Sequence, residues 1–216
     1  MAIKYVVFDW DGTLADTYPV ISAAYENTFK TLGLNPISYD EIKKLTSTLQ
    51  NKDTLGYLFG DKKDKAEKIY YKYIKENHVL KFVTMPNAEN LLQYCSDNGI
   101  KCFLITNKKR EFFLKESNKA NFTKFFTNIV AAGDFEEDKP HPTATRAVFF
   151  GKKPKADEIL VVGDGYADYL TARTYDDEDK KTKCVIYDPK GVYKGENPDY
   201  KVKTLDEIIE ILRENR

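Results

Sequence analysis

The sequence predicts an α/β fold in which helices cover a parallel sheet and a helical block is inserted after the first strand. Two observations predict it. Short apolar segments rich in β-branched or aromatic residues alternate with helix-like stretches over most of the chain, the pattern of βαβ units with helices on both sheet faces. Between residues 17 and 82 that alternation stops and the spacing is helical.

The strands expected in order are residues 3–8, 101–105, 159–162 and 183–187, each apolar and bounded by Gly, Asn or Asp. Buried parallel strands carry such near-continuous apolar runs. Helices are expected at 88–98, 108–119, 143–150 and 166–175, and a last amphipathic helix at 205–213 closes the chain. In the inserted block Val20, Ile21, Ala24, Tyr25 and Phe29 fall at helical spacing, as do Ile69, Tyr70, Tyr73 and Ile74. The expected division is therefore a core of residues 1–16 and 83–216 with a helical cap of residues 17–82. Such a cap would lie over the sheet's C-terminal edge, where open α/β sheets bind ligands.

The 216 residues carry 34 basic and 34 acidic side chains, so no global field draws the chain to nucleic acid or to an anionic membrane. Anion recognition has to be local. Cys95, Cys102 and Cys184 form no CxxC pair and leave one cysteine over, which argues against a disulfide framework and a zinc site. The opening MAIKYVVFDWDGT meets acids too early for a secretory signal or a membrane span. A cytoplasmic protein, monomeric or a weak homodimer, is expected. The charge run 176–183 reads as a solvated loop.

Chemistry-bearing residues collect where strands end. Asp9-Trp10-Asp11-Gly12-Thr13 follows the first apolar run. Alternation puts both carboxylates on one side, and Gly12 lets the backbone bend away; a plain Asp-Gly turn is the competing reading. Thr106-Asn107 follows the strand KCFLI and supplies a hydroxyl and amides for phosphate oxygens, or a helix N-cap, or both. Lys139, before Pro140, can neutralise phosphoryl charge. His141 reads as a loop residue. Gly163-Asp164-Gly165-Tyr166-Ala167-Asp168 follows ILVV. Magnesium takes hard oxygen ligands, and Asp164 with Asp9 and the Asp11 carbonyl would make its site. Asp168 is open between binding the metal, orienting its waters and capping the helix.

Asp-x-Asp-Gly-Thr, a strand-terminal Thr, Lys-Pro and Gly-Asp-x-x-x-Asp, in this order, resemble the haloacid dehalogenase superfamily. The chain looks most like its phosphoglycolate-phosphatase-like branch with a helical cap. Asp16-Thr17, Met85-Pro86-Asn87-Ala88 and the Gly133-Asp134-Phe135 before Lys139 match as well. The resemblance implies a Rossmann-like core and a magnesium-dependent phosphatase acting on a small phosphorylated metabolite. In it Asp9 is the nucleophile, Asp11 the general acid/base, and Thr106 and Lys139 the phosphate contacts, with Asn107 beside them. Asp9, Asp164 and the Asp11 carbonyl hold Mg2+, with Asp168 a further candidate. A strict dehalogenase would lack Asp11. Gly165, where many relatives have Ser or Thr, departs from the pattern. A mutase similar to β-phosphoglucomutase is the alternative; a phospho-aspartyl signalling domain and a silent binding protein stand behind it.

Overall fold

The computed structural model describes residues 2–48 and 51–215. Strands β1 (Tyr5–Phe8), β4 (Lys101–Lys109), β5 (Phe126–Ala132), β6 (Ile159–Gly163), β7 (Lys183–Tyr187) and β8 (Tyr200–Val202) form one sheet in the order β5-β4-β1-β6-β7-β8. Every pairing in it is parallel. A two-stranded antiparallel ribbon, β2 (Ala15–Asp16) with β3 (Val83–Thr84), joins the inserted helices to the sheet.

Alternation along the central strands divides the core. Val6 and Phe8 of β1, Cys102 and Leu104 of β4, Leu160 and Val162 of β6, and Val185 of β7 face α5 (Ala88–Asp97), α6 (Arg110–Lys119) and α9 (Asp206–Glu214). Val7, Phe103, Ile105, Ile159, Val161, Cys184 and Ile186 face the other way, toward α7 (Pro142–Ala147) and α8 (Tyr166–Arg173). Burial on both faces is why these strands read as unbroken apolar runs.

The insertion forms α1 (Tyr18–Thr31), α2 (Tyr39–Thr48), α3 (Asn51–Phe59) and α4 (Lys63–Lys81). Val20, Ala24, Tyr25 and Phe29 of α1 pack with Tyr70 and Ile74 of α4 in a core of their own, which Phe112 of α6 also joins. Pro19 sits in the first turn of α1, where a missing N–H costs nothing and the fixed φ is already helical. The fold class is thus the one expected, a Rossmann-like parallel sheet with an inserted helical cap.

Besides the short ribbon of β2 and β3, two strands of the main sheet were not anticipated. β5 and β8 are the sheet's edges, and their exposed or half-buried positions break the apolar run. β4 also runs four residues past Ile105, so α6 starts at Arg110 rather than 108. The charge run is braced internally: Asp176 accepts from the Thr182 N–H, Asp177 from those of Asp179 and Lys180, and Lys180 pairs with Asp157. It is a folded loop, not only a hydrated one. The three cysteines are unpaired and buried. Among the described residues no helix is long and apolar enough to cross a membrane.

Candidate active site

The C-terminal ends of β1, β4 and β6 meet at one cavity of about 140 Å³, lined by Asp9, Asp11, Thr106, Asn107, Lys139, Asp164 and Asp168. Tyr18, Tyr70, Tyr71, Ile74 and His78 close it from the cap. All seven residues singled out in the sequence therefore come together at one sheet edge.

Asp9 is buried, and its N–H donates to the Val162 carbonyl at 2.9 Å, extending the β1–β6 ladder one residue past the strand. The chain then turns sharply: the N–H groups of Thr13, Leu14 and Ala15 all reach the Trp10 carbonyl. Gly12 has φ +80, and a Cβ there would run into the Asp164 carboxylate and lie 2.6 Å from Tyr18 Cε2. Glycine is demanded here by backbone conformation and by the approach of Asp164 together. The Asp-Gly turn and the carboxylate pair are compatible readings of the same residues.

Lys139 is buried beside the acids. Its ammonium donates to Asp9 Oδ1, to Asp168 Oδ1 at 2.8 Å and to the Ile105 carbonyl at 3.1 Å. Burial alone would lower its pKa, but the Asp168 and Asp9 carboxylates outweigh burial and hold it above the usual lysine value. Asn107 Nδ2 donates to the Lys139 carbonyl at 3.0 Å, which ties the lysine loop to the end of β4. Burial raises Asp9 from 3.8 to about 7; Lys139 opposes the shift, and the negative charges of Asp168 and Asp11 add to it.

Carboxylate oxygens of Asp9, Asp164 and Asp168 lie within 4.8 Å of one another. Three acids face one ammonium, so when ionised they leave an excess of two negative charges among hard oxygen donors. That donor set fits a divalent cation such as magnesium. Asp168 does more than that. It stands in the first turn of α8, and its Oδ2 accepts from the N–H groups of Gly165 at 3.0 Å and Asp164 at 3.2 Å. It caps the helix and shapes the Asp164 loop while holding Lys139.

Thr106 is buried, and its Oγ1 accepts from the Lys108 N–H at 3.1 Å. It caps no helix, because α6 begins four residues on with Lys109 as its N-cap. His141, expected in a loop, is the N-cap of α7, its Nδ1 accepting from the Thr143 N–H.

Several groups were missed. Lys108 donates to Asp11 Oδ1 at 2.5 Å and pairs with Glu116 Oε2 at 3.0 Å. Glu116 is fully buried and also takes the Trp10 indole N–H at 2.7 Å and His78 Nδ1 at 2.9 Å. Tyr18 donates to Asp164 Oδ2 at 3.1 Å. Two signals were present: a tryptophan between two acids, whose indole N–H needs an acceptor once buried, and a glutamate one turn after Phe112 on the buried face of α6.

Fold and site together define an α/β enzyme whose chemistry sits at the C-terminal edge of a parallel sheet. A family model described as "Haloacid dehalogenase-like hydrolase" matches residues 6–176, and the chain belongs to that family. It is 26% identical over 214 residues to pyrophosphatase PpaX from Oceanobacillus iheyensis, covering 98% of each chain. It is equally 26% identical to a phosphoglycolate phosphatase from Vibrio parahaemolyticus, over 97% of this chain and 96% of that one. A haloacid dehalogenase-like hydrolase from Streptococcus pneumoniae shares the fold at TM-score 0.82 and 21% identity, covering 97% and 98% of the two chains.

Proposed function

We propose that this chain is a magnesium-dependent phosphatase that hydrolyses a small phosphate monoester, phosphoglycolate-like or a sugar phosphate, through an aspartyl-phosphate on Asp9. One observation carries the reading: Asp9 is buried at the cavity floor with Lys139 on one oxygen, Asp164 and Asp168 beside it and Asp11 two residues on. A magnesium ion bound there would offset charge on the transferring phosphoryl group.

The chain's own groups do the rest. Asp9 Oδ attacks phosphorus in line. Lys139, the Thr106 hydroxyl and the amides at Asn107 receive the phosphoryl oxygens; Asp9, Asp164 and the Asp11 carbonyl would hold the cation, with Asp168 a further candidate. Asp11 gives a proton to the leaving oxygen, then takes one from the water that hydrolyses the acyl-phosphate. Residues 17–82 act as the cap over residues 1–16 and 83–216. The phosphoglycolate-phosphatase name of one relative supports a small monoester, and the pyrophosphatase name of the other supports a small phosphorylated substrate, there an anhydride.

The test is phosphate release from a panel of small esters, with and without magnesium, by the parent chain and Asp9→Asn. Release is expected to need magnesium and to fall by about 10⁴-fold or more in the variant, as it does when a nucleophile acting within a catalytic unit is lost. A variant as active as the parent would remove Asp9 from the chemistry. Isomerised hexose phosphate instead of free phosphate would mark a mutase.

A further inference from the structure

Glu116 is a carboxylate sealed in the interior of the molecule, on the inner face of α6 among Phe112 and Phe113. Burying such a charge is costly unless several donors hold it. Here three do, each from a different element: Trp10 Nε1 from the loop after β1, His78 Nδ1 from α4, and Lys108 Nζ from the end of β4. Lys108 passes the connection on, because the same ammonium donates to Asp11 Oδ1. Trp10 precedes Asp11 in the chain, so the contacts close a ring: Asp11, Lys108, Glu116, Trp10 and back through the backbone to Asp11.

We infer that Glu116, acting through Lys108, is a positioning residue for Asp11 in the step that expels the leaving group. The inference rests on the phosphatase reading above. Thr17 Oγ1 and Lys108 Nζ both donate to Asp11 Oδ1, which leaves Oδ2 as the oxygen to carry the proton. In the proposed step the Asp9 Oδ–P bond forms as the ester P–O bond breaks. The leaving oxygen keeps that bond's electron pair and takes the proton from Asp11 Oδ2, so that Asp11 ends ionised. An ammonium on a flexible four-carbon stem would follow Asp11 wherever it rotated. Glu116 gives the ammonium a second anchor, and Trp10 and His78 fix that anchor in turn.

This role has a signature that a merely structural one lacks. An alkyl phosphate expels a strongly basic alkoxide and needs the proton; 4-nitrophenyl phosphate expels a weakly basic phenolate and needs it little. The experiment compares kcat/KM, which reports steps through the first irreversible one, for both esters in the parent, Glu116→Gln, Lys108→Met and the reference variant Asp11→Asn. The alkyl ester is expected to lose about 10- to 100-fold in the Glu116 and Lys108 variants and the aryl ester less than about threefold, the selective pattern of a weakened general acid. Lys108→Arg should recover part of the alkyl activity. Trp10→Phe, which removes the indole donor together with part of a buried ring but no charge, should show the same selectivity on a smaller scale and covers a charge-removing variant that fails to fold. Equal losses on both esters, or no loss on either, overturn the positioning role alone. If the parent hydrolyses neither ester, the phosphatase reading falls and the inference with it.

Discussion

Asp9 and Gly12 show how little freedom the turn after β1 has. The strand ends, the N–H of Asp9 completes one more ladder bond, and within three residues the chain must reverse while Asp164 and Tyr18 press against it. Gly12→Ala has to hold an L residue at positive φ, costing roughly 1–2 kcal/mol, and its methyl displaces the Asp164 carboxylate as well. We expect a lower urea midpoint together with a disproportionate loss of magnesium-dependent turnover. Unchanged turnover with only the stability loss would show that Asp164 can leave its place without consequence.

Among elements, what the sequence revealed followed burial. β1, β6 and β7 lie inside the sheet with both faces covered, so their residues form apolar runs that announce themselves. β5 and β8 border the sheet and carry Asn128 and Lys201 where a central strand would carry hydrophobes; nothing local marks them as strands. The site residues followed the same logic. Asp9, Thr106 and Asp164 each stand just past an apolar run, where a sheet edge could be inferred, whereas the contacts of Glu116 with Lys108 and His78 join positions 8 and 38 residues apart by tertiary packing alone. α6 carries both kinds of information: Phe113 packs edge-on against Trp10 at 5.1 Å between ring centroids while Glu116 binds the same indole. Phe113→Ala should therefore cost about 3–5 kcal/mol of unfolding free energy. Tyr57→Ala, at a side chain 73% exposed on α3, should stay within about 0.5 kcal/mol. Similar urea midpoints for the two would mean that the Phe113 ring of α6 adds little to the core it shares with Trp10 and the sheet.

At the scale of the whole molecule, equal numbers of acids and bases leave no net charge, yet the fold gathers carboxylates at one sheet edge with Lys139 among them. On the proposed function, that local excess should make the molecule's stability depend on pH and metal together. Folded, Asp9 keeps its proton up to about pH 7; unfolded, only to its ordinary value of 3.8. Between those values the folded state binds more protons, so without metal this group's contribution to stability is full below the lower value and is lost as pH rises through the upper one. A cation has the opposite preference, because it binds the ionised carboxylate and competes with the proton. The rise in Tm on adding magnesium should thus be larger at about pH 8 than at about pH 6, since binding to the folded state alone sets that rise. Asp9→Asn, which has no proton to displace, should flatten the difference. An equal rise at both pH values in the parent would separate Asp9 from the metal and leave Asp164 and Asp168 to hold it without Asp9.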